Sequence, residues 1–370
     1  MNDLGELKQF VLVHARGQGI PARDYERLLS AIESDDGDAP GSWVGEWSRA
    51  AERLERDGRF LDACRHFTMA RFPYVDGPAR EEALRRCIAA FDRWRGGTGI
   101  EPLELELDGA RVRCWTSGLS RSDRRPLLLL MGGIVSIKEQ WAPVLLQARK
   151  LGLAGLVAEM PGVGEHAARY GPDSRRMLPG LLDAVADRAD VRRTYAVAMS
   201  FSGNLALDAA ADDPRIRGIV TVGAPVSAFF TDTGWQRGLP RITVDALAHM
   251  CAVPADRVHE HLRGLALDGA RLAALDVPVH YLASRRDEII PGADVELLRN
   301  HVRDLSLLEN DDVHGSPRYF VDTRLWVLRS LLQLHGSHRP HRAVLGALLG
   351  ARRVRARLAE ATRRRPEAAL

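Results

Sequence analysis

Thr194-Tyr195-Ala196-Val197-Ala198-Met199-Ser200-Phe201-Ser202-Gly203-Asn204 is the stretch on which the fold turns. An apolar run of strand type ends on a serine, small residues follow, and a helical stretch opens at about Asn204. A strand that turns so sharply into a helix crowds the residues beside the serine, so they must be small. Ala198 and Ser202 supply that smallness where a stricter pattern would carry glycine. Taken alone, the stretch also reads as an ordinary strand–helix turn with Ser200 capping the helix.

The surroundings favour the first reading. Leu103 to Leu107 alternates strictly between leucine and glutamate. Asp108-Gly109 then turns the chain into Arg111–Trp115, a hairpin pattern. Short apolar runs separated by helical stretches follow at Pro126–Met131, Ala154–Glu159, Thr194–Met199, Arg217–Val222, Val277–Ala283 and Asp304–Leu308. Strands that are apolar throughout and spaced by helices predict a mostly parallel, doubly covered sheet, an α/β fold. Residues 229–270 break this rhythm with two or three helical pieces and no strand. An insertion there would lie over the carboxyl ends of the strands, where such sheets bind ligands.

Three further segments complement Ser200. Met131-Gly132-Gly133-Ile134 directly follows the strand run at 126–131. An oxyanion hole needs two backbone N–H groups aimed at one oxygen. The residue after the serine, Phe201, and Ile134 in the loop opened by Gly132-Gly133 are the expected donors. Asp287 follows a strand end within four residues, ahead of Pro291, with Glu288 the neighbouring alternative. His314-Gly315 lies in the polar loop after the last strand. The order Ser200, Asp287, His314 suits a serine nucleophile, a general base and an acid that fixes the base's tautomer. His166, His249, His259, His261 and His280 do not follow a strand in the right place. His259 and His261 read as exposed helix residues.

Before residue 98 the pattern is helical. Trp43, Trp47, Ala50, Ala51 and Leu54 recur at three- and four-residue steps, as do Phe60, Ala63, Cys64 and Phe67; Ala79–Trp94 is amphipathic and ends at Gly96-Gly97. The division expected is a helical cap at 1–97, a core at 98–336 containing the lid insertion 229–270, and a C-terminal helix with a basic tail at 337–370. Asp35-Asp36-Gly37-Asp38 reads as a loop within the cap.

Composition narrows the class. The 370 residues are 45% hydrophobic and 27% charged, globular proportions that exclude a disordered or fibrous chain. The net charge of +3 is nearly neutral, and three of the 52 basic residues are lysines: Lys8, Lys138 and Lys150. That arginine bias reads as codon usage in a GC-rich genome, not as a nucleic-acid footprint. Seven arginines between Arg352 and Arg365 read as a solvated helix end, with a phosphate- or membrane-binding tail as the alternative. Cys64, Cys87, Cys114 and Cys251 have no metal-ligand or disulfide spacing. Gly162-Val163-Gly164 lacks the third glycine of a dinucleotide loop. No cofactor or metal is expected. With no signal-peptide pattern at the start and no membrane-spanning run, the expectations are a cytoplasmic protein, no nucleic-acid or membrane partner, a small-molecule substrate, and either a monomer or a homodimer paired through the helix near Ala343–Leu358.

With these residues in view, the chain resembles one branch of the α/β-hydrolases. That branch contains the fermentation–respiration switch proteins, the 2,6-dihydroxypseudooxynicotine hydrolase and fungal hydrolases that shorten polyketide chains. The resemblance covers about residues 40–335. It rests on the tryptophan-bearing helices, on Thr68-Met69-Ala70-Arg71-Phe72-Pro73, and on Gly132-Gly133-Ile134-Val135-Ser136-Ile137-Lys138-Glu139. Val135 stands where the branch often has aspartate, and Ser202 where it has a second glycine. The resemblance implies an α/β-hydrolase core with a helical cap, and residues 1–97 and 229–270 lining the pocket, with Trp235 a substrate-binding candidate. Lys138 and Glu139 are read either as a pair that holds the oxyanion loop beside the substrate or as a solvated pair at a helix start. Glu159, before Pro161-Gly162, is read as structural. The resemblance also implies ester or carbon–carbon bond cleavage in bacterial polyketide-type metabolism. The alternatives are acetate elimination from an acetylated tetronate-like substrate, as in some relatives, and a non-catalytic binding role.

Overall fold

The computed structural model describes residues 2–363. The end of the basic tail, including Arg364 and Arg365, lies outside the described residues. Five helices come first: α1 (Leu4–Gly17), α2 (Ala22–Ala31), α3 (Trp43–Arg56), α4 (Phe60–Ala70) and α5 (Pro78–Arg95). The expected helical character of this block holds, with one isolated bridge, Ser34 to Ser42, in its loop. The loop acid Asp35 is buried and receives the Arg80 guanidinium at 2.5 Å.

Eight strands follow: β1 (Glu101–Leu107), β2 (Ala110–Ser117), β3 (Pro126–Met131), β4 (Ala154–Ala158), β5 (Asp190–Met199), β6 (Ile216–Val222), β7 (Val279–Ser284) and β8 (Leu305–Asn310). They form one sheet in the order β1-β2-β4-β3-β5-β6-β7-β8. The β1/β2 hairpin turns through Asp108 and Gly109, both at positive φ, and β2 pairs antiparallel with β4. The rest is parallel, as the apolar runs predict. β3 and β4 are buried at every position.

Several strand ends differ from the apolar runs, and at two of them the pairing shows why. β5 starts at Asp190 because Asp190 pairs with Pro126 of β3, although the intervening Arg192 and Arg193 are exposed. β8 continues to Asn310 because Glu309 and Asn310 pair with Ala283 and Ser284. Pairing, not hydropathy, sets both limits.

The connections carry α6 (Lys138–Trp141), α7 (Leu145–Lys150), α8 (Met177–Val185) and α9 (Phe201–Asp212). The insertion after β6 holds five short helices instead of two or three: α10 (Ala228–Thr231), α11 (Thr233–Gln236), α12 (Arg241–Cys251), α13 (Val258–Leu262) and α14 (Gly269–Ala273). Asp294, in α15 (Gly292–His301), anchors its entrance by accepting the N–H groups of Val226 (2.9 Å), Ser227 (2.8 Å) and Ala228 (2.6 Å). α16 (Phe320–His335) and α17 (Arg339–Arg363) close the described chain, and α17 packs on α16 while Val344, Leu348 and Val354 stay exposed.

The sequence boundary near residue 98 is not a boundary of the core. Phe67, Cys87, Ile88 and Phe91 of the helical block share one apolar core with Trp115, Leu129 and Val197 of the sheet. The Phe91 and Trp115 rings lie 4.9 Å apart, and the Arg95 and Arg113 guanidinium groups sit 5.1 and 5.0 Å from the Trp115 ring. A second cluster ties α1, α2 and α3 to Phe72. No helix among the described residues is long and apolar enough to cross a membrane.

Candidate active site

Ser200 sits at the carboxyl end of the central strand β5, with φ 55° and ψ −127°. A non-glycine residue in this region carries strain that the surroundings must hold in place. Here its N–H donates to the Val222 carbonyl (2.8 Å) and its carbonyl accepts from Gly203 N–H (2.8 Å). Ser202 keeps the turn compact without glycine: its buried hydroxyl donates to the carbonyls of Met131 (3.1 Å) and Met199 (3.0 Å), tying α9 to β3. The Ser200 side chain does not cap α9. Its Oγ lies 3.0 Å from His314 Nε2 instead.

His314 follows β8, and its Nδ1 lies 3.0 and 2.9 Å from the two oxygens of Asp287, after β7. Asp287 Oδ1 also accepts the N–H groups of Ile289 (3.0 Å) and Ile290 (2.8 Å), which fixes the carboxylate in its loop. Glu288 has a separate task, accepting the His314 backbone N–H at 2.9 Å. Asp312 shapes the same loop by accepting from Arg318 N–H at 2.7 Å. Burial works to lower the His314 pKa. The Asp287 charge and hydrogen bond, with Glu288 behind them, prevail and hold it above the ordinary imidazole value.

Gly133 lies against the serine: a Cβ built there would stand 3.0 Å from Ser200 Cβ. Ile134 follows in the same turn, which closes through Ser136 N–H on the Gly133 carbonyl (3.0 Å). Phe201 opens α9, where first-turn N–H groups have no helical acceptor.

The other expected contacts lie elsewhere. Lys138 and Glu139 are neither solvated nor open to a substrate. Both are buried, and Lys138 Nζ stands 3.0 Å from Glu139, 3.4 Å from Glu159 and 2.7 Å from Glu165. Glu159 also accepts the N–H groups of Lys138 (3.2 Å) and Glu165 (3.0 Å), the loop-holding task expected of it. Burial outweighs the attraction of Lys138 and raises the Glu159 pKa to about 7. Apolar neighbours in sequence gave no sign that this group would be enclosed. Trp235 donates its indole N–H to the Ile289 carbonyl (2.8 Å) and borders a cavity of about 290 Å³ that reaches Asp287 but is lined by neither Ser200 nor His314. It stands behind the acid, not over the serine. His259 is half-buried, while His261 is exposed and bonded to the Tyr170 carbonyl at 3.1 Å.

Two residues of the helical block, His14 and Arg71, have surroundings that no sequence pattern assigns. His14, in the last turn of α1, lies 5.1 Å ring to ring from Phe72. Burial first, then the nearby charges of Arg71 and His314, pushes its pKa down to about 3, so it is neutral at working pH. Its neighbour Val13 packs on Gly315, beside His314. Arg71, buried after α4, donates to the Val135 carbonyl in the Gly132–Ile137 loop, and also to Gln140 (3.3 Å) and the Pro73 carbonyl (3.0 Å). Only a histidine or arginine known to project inward would have betrayed these roles.

A parallel sheet whose central strand ends in a strained serine, with a histidine and an acid supplied after later strands, defines a member of the α/β-hydrolase superfamily. No family model matches the sequence. The chain is 52% identical to AbyA5, whose solved structure superposes with a TM-score of 0.90 over 95% of this chain and 99% of that one. It belongs to the α/β-hydrolase branch that contains AbyA5. The solved 2,6-dihydroxy-pseudo-oxynicotine hydrolase is 18% identical, with a TM-score of 0.65 over 91% of this chain and 94% of that one, and shares the fold. Esterase FrsA of Photobacterium profundum is 21% identical over 331 residues, covering 77% of this chain and 78% of its own.

Proposed function

We propose that the protein is a serine hydrolase acting on a small carbonyl or acyl-ester metabolite, by ester or carbon–carbon cleavage. The carrying observation is the unbroken line from Ser200 Oγ through His314 to Asp287, on a backbone turn that exposes the serine and leaves its hydroxyl free of capping. In this reading His314 takes the Ser200 proton as Oγ attacks the carbonyl carbon. Asp287 holds the imidazole tautomer and stabilises the imidazolium. The N–H groups of Ile134 and Phe201 receive the developing oxyanion. His314 then returns the proton to the leaving group, and water, activated by the same imidazole, releases the acyl product. The resemblance described above supports a substrate drawn from bacterial polyketide-type metabolism.

A second reading is elimination of acetate from an acetylated tetronate-like substrate, with His314, whose pKa is held above the ordinary value by Asp287, as the base. The test is intact mass after a fluorophosphonate probe, with Ser200→Ala as control. One adduct on the wild type and none on the variant supports the serine reading; an unlabelled wild type sinks it. Acyl esters and β-diketones are then screened. An alcohol or truncated ketone marks hydrolysis, and acetate released together with an alkene marks elimination.

A further inference from the structure

The Gly132–Ile137 loop has a positioning problem that the sheet alone does not solve. A donor N–H must be held to within a fraction of an ångström of where charge develops, yet a Gly-Gly pair is the least restrained dipeptide available. One end of the loop is fixed by the Ser202 hydroxyl on the Met131 carbonyl (3.1 Å). Its turn is fixed by the Ser136 N–H on the Gly133 carbonyl (3.0 Å). Because a trans peptide points its C=O and N–H in opposite directions, that bond turns the Ile134 N–H away from Ser136. The next carbonyl held is that of Val135, and it is held from outside the sheet, by Arg71.

We infer that Arg71 is a positioning residue for the reaction at Ser200: it clamps the Val135 carbonyl so that the helical block, not the sheet, holds the outer side of the Val135–Ser136 peptide, whose N–H closes the oxyanion loop on Gly133. Three observations support this. The guanidinium is 1% exposed, so water does not compete for its donors. Its planar fork reaches two places at once, with Nη1 on the Pro73 carbonyl (3.0 Å) and Nη2 on Val135 and on Gln140 Oε1 (3.3 Å). Gln140 Oε1 in turn accepts the Ile137 N–H (2.9 Å), so Arg71 grips the far end of the loop as well as its middle. No carboxylate lies within ion-pair distance of Arg71 among the described residues, and its bonded donors, on Nη1 and Nη2, go to carbonyls and an amide.

This inference rests on the serine reading of Ser200, and the experiment separates the two. Rates of fluorophosphonate labelling are measured for the wild type, Arg71→Met, Arg71→Lys, Arg71→Ala and Arg80→Met. Arg80 is an equally buried arginine of the same block, on Asp35 and the Phe72 carbonyl (3.0 Å), without contact to the loop. Arg71→Met is expected to label about 10- to 100-fold more slowly, the cost of a slightly misplaced donor. Its pH midpoint should stay unchanged, because His314 and Asp287 are untouched. Arg71→Lys should recover part of the rate, and guanidinium at low millimolar concentration should raise the rate of Arg71→Ala while equal sodium chloride does not. Arg80→Met should unfold at lower temperature yet label near the wild-type rate. Wild-type labelling by Arg71→Met, or equal slowing in Arg80→Met, overturns the inference. A wild type that does not label at all would sink the serine reading first.

Discussion

The sheet side and the helical side of Ser200 are built by different means. On the sheet side, backbone does the positioning. The serine is held by a positive-φ turn, Asp287 by two amides of its own loop, and His314 by Glu288 one residue beyond that acid. Every partner comes from a strand end or the loop after it. On the helical side, a long side chain does it: Arg71 extends from the end of α4 and reaches the Val135 carbonyl in the loop beside Ser200. Groups fixed by backbone cannot move without unmaking the sheet. Groups fixed by side chains can be exchanged one at a time. The sheet side therefore suits the invariable part of a reaction and the helical side its tuning.

Changes on the sheet side should be the larger. Ser200→Ala should abolish labelling and lower turnover by about 10⁴- to 10⁶-fold while leaving thermal unfolding in place. Asp287→Asn should cost about 10⁴-fold in turnover, since the amide presents the wrong group to His314 Nδ1. A loss below tenfold would mean that the acid does not hold the tautomer.

Lys138→Met tests the seam between the two sides. It leaves three carboxylates around an apolar chain and should destabilise the fold by about 3–5 kcal/mol, read by urea unfolding. An unchanged midpoint would show the cluster to be dispensable.

Two pH effects are smaller. Labelling needs neutral His314, whose pKa lies above the ordinary 6.5, so the rate should fall as pH drops through a midpoint above that value. Glu288→Gln keeps an acceptor for the His314 N–H but removes a charge that raises the pKa, so the midpoint should move to lower pH. A midpoint that stays put would assign the shift to Asp287 alone. His14 behaves oppositely. Its pKa falls from 6.5 when unfolded to about 3 when folded, so the unfolded chain binds the extra proton. Its contribution to stability is full above pH 6.5 and is lost as pH falls toward 3. His14→Phe should remove about one proton's worth of that slope, seen as a flatter plot of unfolding free energy against pH.

The sequence discloses whatever is local. Strand runs, the hairpin at Asp108-Gly109 and the order of Ser200, Asp287 and His314 can all be read because each is a short pattern tied to one piece of backbone. Strand ends at Asp190 and Asn310 cannot, because pairing partners determine them. Nor can the burial of Lys138, whose three carboxylates come from α6, from the end of β4 and from the loop beyond it. Arg71 lies inside a segment singled out for resemblance, yet nothing in that segment says that its guanidinium crosses to Val135. The placement of Trp235 shows the reverse failure: an aromatic residue in the insertion suggests a wall over the serine, but its indole is tied to the Ile289 carbonyl and borders a cavity that reaches Asp287 instead.

Glu6 of α1 accepts the N–H groups of Arg241 (3.2 Å) and Ile242 (2.7 Å), the opening amides of α12, which has no side-chain cap of its own. A helix in the insertion is thus finished by a carboxylate from the first turn of the chain. For anyone transplanting specificity between members of this branch, residues 4–17 and 228–273 form one interchangeable part. Swapping the insertion while keeping a foreign first helix would deliver α12 with its amides bare, and the graft would fail at its roof before its pocket was ever tested.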